Sequence, residues 1–239
     1  MELKNLNFSF TPTSGQLLFE DFNLCIEPNE ITVLLGPSGS GKSTLLRIFS
    51  KIQPISSKKL ALVKDLRTES YIFQEANLLE WLTGYKNIML PKKLAHQNVD
   101  NKELKQISKA LKIEDCLALY PHQLSGGQKM RVSVARALIT RPEVIYMDEP
   151  FAALDEPTRL ELQDELLAIQ SRFKMTILFV THSFYEAAYL ADRIIVINQQ
   201  RPARIISDVR FVRDFKSRFD DKYQLRVQGL SETFKKGLA

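Results

Sequence analysis

The stretch Ile31-Thr-Val-Leu-Leu-Gly-Pro-Ser-Gly-Ser-Gly-Lys-Ser-Thr44 decides how the rest of the chain is read. Its first five residues form a short apolar, β-rich run closed by a glycine, the pattern of a strand buried on both faces. The next nine, Gly36, Pro37, Ser38, Gly39, Ser40, Gly41, Lys42, Ser43 and Thr44, fit the spacing G-x-x-x-x-G-K-[ST]. From Ser43 to Phe49 the apolar residues then fall at helical spacing. Strand, glycine loop and helix in this order build a phosphate cradle. Glycines let the backbone curl until successive N–H groups point at phosphate oxygens, and the helix presents its positive end to the same anion. Lys42 can reach the β- and γ-phosphates of a nucleotide, while the Ser43 hydroxyl can ligate Mg²⁺. A Gly/Ser-rich surface turn is the plain alternative, and the strand, lysine and helix in register set it aside.

Working outward, Val144-Ile-Tyr-Met-Asp-Glu-Pro150 is a second apolar run that delivers a carboxylate at its end. Asp148 suits a Walker B residue that holds Mg²⁺ directly or through water. Its neighbour Glu149 points elsewhere, as adjacent strand-end residues do, and can face a hydrolytic water. Met175–Val180 and Ile194–Ile197 are further buried-strand candidates, and strands separated by helical stretches imply a mostly parallel α/β core. Between about residues 77 and 125 the strand signals vanish. Asp100–Leu111 has helical spacing with Asp100 placed as an N-cap, so an inserted helical subdomain is expected there. Near the end of the chain, Phe211, Phe215 and Phe219 recur at i, i+4, i+8, which predicts an amphipathic helix in the tail, packed on its own domain.

Bulk properties bound the class. The 239 residues suffice for one large or two modest domains, and 44% hydrophobic with 26% charged residues is an ordinary globular composition. No apolar run approaches the length of a membrane span, and Met1-Glu-Leu-Lys-Asn lacks the basic-then-apolar pattern of a secretory signal, so a cytoplasmic location is expected. Cys25 and Cys116 lack metal or redox spacing and read as small buried hydrophobes. The net charge of +5 resides in the last 39 residues, where ten Lys/Arg face five Asp/Glu. Such a tail suits anionic headgroups or nucleic acid, but its interleaved acids favour a plain solvated face.

The run Leu124-Ser-Gly-Gly-Gln128 narrows the class further, because it resembles the signature motif of the ABC ATPases. Its surroundings, Pro121 to Leu138, look like that family throughout, and other elements follow in the family's order. Phe10 is placed like the aromatic A-loop residue that stacks on adenine. Gln74 in Tyr71-Ile-Phe-Gln-Glu75 looks like the Q-loop, Asp155 in Ala153-Leu-Asp155 like the D-loop, and His182 in Phe179-Val-Thr-His182 like the switch histidine. Phe73–Thr83 is similar to the segment found in ATPases of the nitrate/sulfonate/taurine importer group. The resemblance implies an α/β fold with a P-loop NTPase core, a mostly parallel sheet, a small antiparallel β-subdomain and the inserted helical subdomain. It places the ATPase domain at residues 1–206 and a basic helical extension at 207–239. Departures exist: Ile52–Tyr71 is shorter than usual and lacks a common Ser-Gly…Gly turn, Ser183 follows His182 where an acid is common, and Met130 replaces a usually polar residue.

From that resemblance follow the expected roles. Two ATPs are sandwiched between two antiparallel subunits, each touching the P-loop of one and Ser125, Gly126, Gly127 and Gln128 of the other. Glu149 polarises the water, His182 contacts the γ-phosphate, Gln74 senses Mg²⁺ and the water, and Asp155 contacts the second subunit. The partners implied are a second ATPase subunit, most simply a homodimer, an integral membrane permease and an extracytoplasmic solute-binding protein. The location implied is peripheral, on the inner face of the membrane. A non-transport ABC ATPase acting on nucleic acid or ribosomes is the alternative. It favours a tandem motor, a long coiled-coil insertion or a zinc module, none of which is seen, and no nucleic-acid partner is expected. A non-hydrolysing interaction subunit would lack the base or the lysine, and Glu149 and Lys42 are both present.

Overall fold

The computed structural model describes residues 1–10, 16–55, 68–97, 101–215 and 217–238. Two compact units divide the chain, one formed by Met1–Asp65 with Thr176–Ala239, the other by Leu66–Met175.

In the first unit, β3 (Ile31–Leu35) pairs in parallel with both β6 (Thr176–Thr181) and β7 (Arg193–Ile197), and β8 (Ile205–Arg210) closes the edge antiparallel to β7. All five residues of β3 and all six of β6 are buried. That explains why both read as continuous apolar runs without alternation: a parallel strand covered on both faces has no solvent side to mark. A separate antiparallel pair, β1 (Glu2–Phe8) and β2 (Phe19–Cys25), alternates buried and exposed positions because only one face is covered. The helices here are α1 (Lys42–Phe49), α6 (Phe184–Leu190) and α7 (Asp221–Leu238). Mostly parallel pairing with a small antiparallel sheet agrees with the expected fold class.

The second unit carries the parallel pair β4 (Glu69–Ile72) and β5 (Val144–Asp148), with α2 (Gly84–Leu94), α3 (Asn101–Ala110), α4 (Gly126–Leu138) and α5 (Glu156–Phe173). Between 77 and 125 the described residues form helices and turns. Asp100, the expected cap of α3, and residues 56–67 of the shortened segment lie outside the described residues. Buried charge holds this unit together. Glu103 of α3, 7% exposed, accepts from Lys92 of α2 and, at 2.6 Å, from Arg141 after α4. Arg131 of α4 bridges Glu161 and Glu165 of α5 at 2.7 and 3.2 Å.

Two expectations change. The phenylalanine spacing at 211, 215 and 219 does not mark a helix, which begins instead at Asp221. Phe211 and Phe215 lie in irregular chain and converge on Arg226 of α7, whose guanidinium sits 3.9 Å from the Phe211 centroid, while Phe219 is exposed. The aromatic recurrence therefore reports a shared buried cation rather than a helical face. Burial pushes the Arg226 guanidinium down to about 10. Of the cysteines, Cys116 is buried as expected, but Cys25 is half-buried with its thiol 3.6 Å from Glu27 Oε1. Burial first, then the Glu27 carboxylate, raises the Cys25 pKa, so the thiol stays protonated.

Candidate functional site

The phosphate loop leaves the C-terminal end of β3 and enters α1 at Lys42. Gly41 stands at the helix N-cap with φ +98°, and a Cβ there would lie 2.7 Å from Phe19 Cζ. Both facts demand glycine. At Gly36 a Cβ would lie 2.5 Å from the Ile197 carbonyl oxygen, so the loop can pass close to β7 only without a side chain. Lys42 is 4% exposed, and its ammonium folds back to donate to the carbonyls of Gly36 and Pro37 at 2.8 and 2.9 Å. Those bonds hold the charge above the loop. The Ser40 hydroxyl is buried without a hydrogen-bond partner. A glycine cradle, a sequestered cation and an orphaned hydroxyl together fit a polyphosphate.

His182 belongs to the same unit. The parallel register pairs Leu35 with Thr181, so Gly36 and His182 are the next residues off two neighbouring strands. Ser183 resolves one departure from the family pattern. Its hydroxyl caps α6 by accepting from Glu186 N–H at 3.3 Å, and its own N–H donates to Thr181 Oγ1 at 3.0 Å. The switch position is thus anchored by hydroxyl chemistry where an acid is common. Phe10, at 68% exposure, offers an open ring edge-on to Phe8 at 5.2 Å, available for stacking.

In the second unit Ile72 pairs with Met147, which sets Gln74 and Glu149 each two residues beyond this matched pair. Gln74 is exposed; Asp148 is 8% exposed. Glu149 adopts φ +47°, a left-handed backbone rare for a non-glycine residue and common at functional sites. Carboxylate and hydroxyl oxygens of the kind Asp148 and Ser43 supply are hard donors suited to Mg²⁺. Among the described residues no group of three or more His, Cys, Asp or Glu converges.

The signature segment is a capped helix start. Ser125 Oγ accepts from Gln128 N–H at 3.2 Å while Gln128 Oε1 accepts from Ser125 N–H at 2.9 Å, a reciprocal capping box. Ser125 and Gly126 are exposed and Gly127 is buried against α5. The box fixes the serine while its O–H proton stays available as a donor. Asp155 caps α5 through Thr158 N–H and Oγ at 3.2 and 2.9 Å, and those two bonds hold its carboxyl below the usual range.

Three supporting residues escaped sequence reasoning. Gln199 donates to the Ser38 carbonyl at 3.0 Å and Arg201 to the Gly39 carbonyl at 2.6 Å, holding loop carbonyls from behind. Arg136 of α4 grips the carbonyls of Ala76 and Asn77 at 2.9 and 2.8 Å, just past Gln74, and burial lowers its pKa. Each lies more than fifty residues from what it holds, so no local spacing could reveal it.

Known proteins resemble the chain over most of its length. The family model described as ABC transporter matches residues 19–152. The chain is 37% identical over 196 residues to the aliphatic sulfonates import ATP-binding protein SsuB 2 of Pseudomonas syringae pv. tomato, covering 82% of each. It is 38% identical over 208 residues to the nitrate import ATP-binding protein NrtD of Synechococcus elongatus, covering 83% of this chain and 76% of that protein. Among solved structures it resembles the dimeric bacterial ABC transporter cassette MJ0796 with a TM-score of 0.74 and 27% identity, over 90% of this chain and 99% of that one.

Proposed function

The chain belongs to the ABC transporter family, and on that premise we propose that it is the ATP-hydrolysing motor subunit of an importer, driving a separate membrane permease. The observation that carries the reading is the capped, exposed start of α4. A helix N-terminus with a donor serine and bare glycine backbone is an anion site, and in this family it serves a nucleotide held by a second subunit. Two copies working as a homodimer therefore complete two sites.

Each residue's contribution follows from its chemistry. Lys42 and the loop N–H groups hold the β- and γ-phosphates, and Phe10 stacks on the base. Ser43 and Asp148, with Gln74, would hold Mg²⁺, which would supply positive charge against the negative charge developing on the phosphates. Glu149 orients the attacking water and takes its proton, while His182 and the partner's signature serine donate to the γ-phosphate as its charge grows. Asp155 meets the second subunit. No helix among the described residues is long and apolar enough to cross a membrane. The subunit acts peripherally, at the inner face, on an integral permease supplied by an extracytoplasmic solute-binding protein.

The rival nucleic-acid reading is weakened, because three of the tail's ten cations pair with carboxylates of the chain. Arg210 pairs with Glu30 at 2.6 Å, Arg213 with Asp192 at 2.8 Å, and Lys222 with Asp214 at 2.5 Å. The test is Mg-ATP hydrolysis against protein concentration, with Glu149→Gln beside wild type. Rate per chain should rise with concentration. The variant should bind ATP, accumulate as an ATP-dependent dimer and lose about 10²–10⁴ in turnover. Brisk turnover by Glu149→Gln would refute the assignment.

A further inference from the structure

We propose that Tyr71 is a positioning residue for the metal carboxylate, tying the strand that leads to Gln74 to Asp148; this rests on the reading of Asp148 as an Mg²⁺ ligand. The Tyr71 hydroxyl donates to Asp148 Oδ2 at 3.0 Å. Register explains the contact. Tyr71 on β4 lies directly opposite Tyr146 on β5, and Asp148, two residues further along β5, shares Tyr146's face. A tyrosine is long enough to span that diagonal, whereas a serine or threonine at the same position is not.

The ring that carries the hydroxyl is itself held. Tyr71 packs on Phe73 with centroids 4.4 Å apart and on Tyr146 at 6.4 Å. Tyr146 is fully buried, and its hydroxyl donates to Glu69 Oε2 at 3.3 Å, so the platform beneath Tyr71 is fixed at both ends. Asp148 has little freedom of its own at 8% exposure, but rotation of its carboxylate plane is set by what its oxygens touch. A donor on Oδ2 fixes that plane before any metal arrives, and outer partners that orient a ligating carboxylate are worth about 10–100-fold in metal affinity. Because Gln74 lies three residues beyond Tyr71 on the same stretch of chain, movement of that segment is felt at the carboxylate through one hydrogen bond.

Tyr71→Phe keeps the ring and deletes only the hydroxyl. The metal is read directly by titrating Mn²⁺ into chain carrying one equivalent of a non-hydrolysable ATP analogue, with free Mn²⁺ followed by electron paramagnetic resonance. Fluorescent ATP binding in excess EDTA reports the nucleotide site without metal, and a thermal scan reports folding. Tyr71→Phe should weaken Mn²⁺ about tenfold, with EDTA-state nucleotide affinity and melting temperature unchanged. Unchanged Mn²⁺ affinity, alongside a loss in Asp148→Asn, overturns the role of Tyr71 and leaves Asp148 as ligand. Unchanged Mn²⁺ affinity in Asp148→Asn overturns the reading beneath it. Equal weakening of EDTA-state nucleotide binding in Tyr71→Phe would make the residue merely structural and also overturns the proposal.

Discussion

Gly127→Ala tests how the signature helix is seated on the helix that begins with Asp155. A Cβ on Gly127 would lie 2.4 Å from Thr158 Cγ2, against an ordinary carbon–carbon contact of about 3.5–4.0 Å, an overlap of more than 1 Å. Thr158 cannot easily yield. It is β-branched in a helix, where one or two rotamers dominate, and both its N–H and Oγ are bonded to Asp155 Oδ2. If the methyl swings away, the hydroxyl bond is lost at about 0.5–1.5 kcal/mol; if it stays, overpacking costs about 1–3 kcal/mol. Gly127→Ala should therefore lower unfolding free energy by about 1–3 kcal/mol. Thr158→Ser removes only the offending methyl, since the next atoms, Thr158 Cβ and Oγ1, lie at ordinary distances of 3.7 and 3.8 Å. In that background Gly127→Ala should be neutral or gain a few tenths of a kcal/mol from helix propensity. The assay is a double-mutant cycle by urea denaturation of the four proteins. A coupling energy below about 0.5 kcal/mol, the limit of additivity for independent sites, would refute the steric reasoning.

Three further outcomes follow from other contacts. Glu103→Ala strands the buried Lys92 ammonium and should cost about 3–5 kcal/mol in urea unfolding, whereas Arg141→Ala, whose side chain is 72% exposed, should cost less than about 1 kcal/mol; equal costs would contradict the burial argument. Arg136→Ala frees the carbonyls of Ala76 and Asn77, each held by a charged donor worth about 1.5–3 kcal/mol, so amide exchange over residues 75–80 should quicken by at least about tenfold. Arg136→Lys, lacking the planar fork, should not restore protection. Asp208 is held below its ordinary pKa by two hydrogen bonds from Arg193 at 2.7 and 2.6 Å. A depressed folded pKa means the stabilisation is present above about pH 4 and is lost as pH falls through the lowered value. The melting-temperature gap between wild type and Asp208→Asn should therefore be constant near neutrality and close in acid, and a gap that persists at low pH would argue against the pair.

The aromatic tail shows where sequence patterning misleads. Phe211, Phe215 and Phe219 carry the spacing of a helical stripe, yet what the first two share is Arg226 of α7, whose guanidinium lies over both rings. Periodicity records which residues share an environment and is silent on whether a helix or a buried cation creates it. The four strongest strand readings hold for the opposite reason. Residues 31–35, 144–147, 175–180 and 194–197 are apolar apart from Thr32 and Thr176, and the corresponding strands are buried throughout except at Arg193, so composition alone marks them. The strands β4 and β8 went unread because their positions, Ile72 apart, are half-buried or exposed and carry mixed residues.

The sequence by itself determined the phosphate loop, the carboxylate-bearing strand end, the signature and the order in which they occur. Those chemistries depend on residues adjacent along the chain: glycines that permit a curl, a lysine at fixed offset, a serine three residues before a glutamine. Only the tertiary structure decided what holds them in place. Tyr71 beneath Asp148, Arg136 across Ala76 and Asn77, and Gln199 and Arg201 behind the loop act from 59 to 162 residues away. Their partners are chosen by strand register and helix packing, which bring together atoms whose separation along the chain carries no trace of the contact.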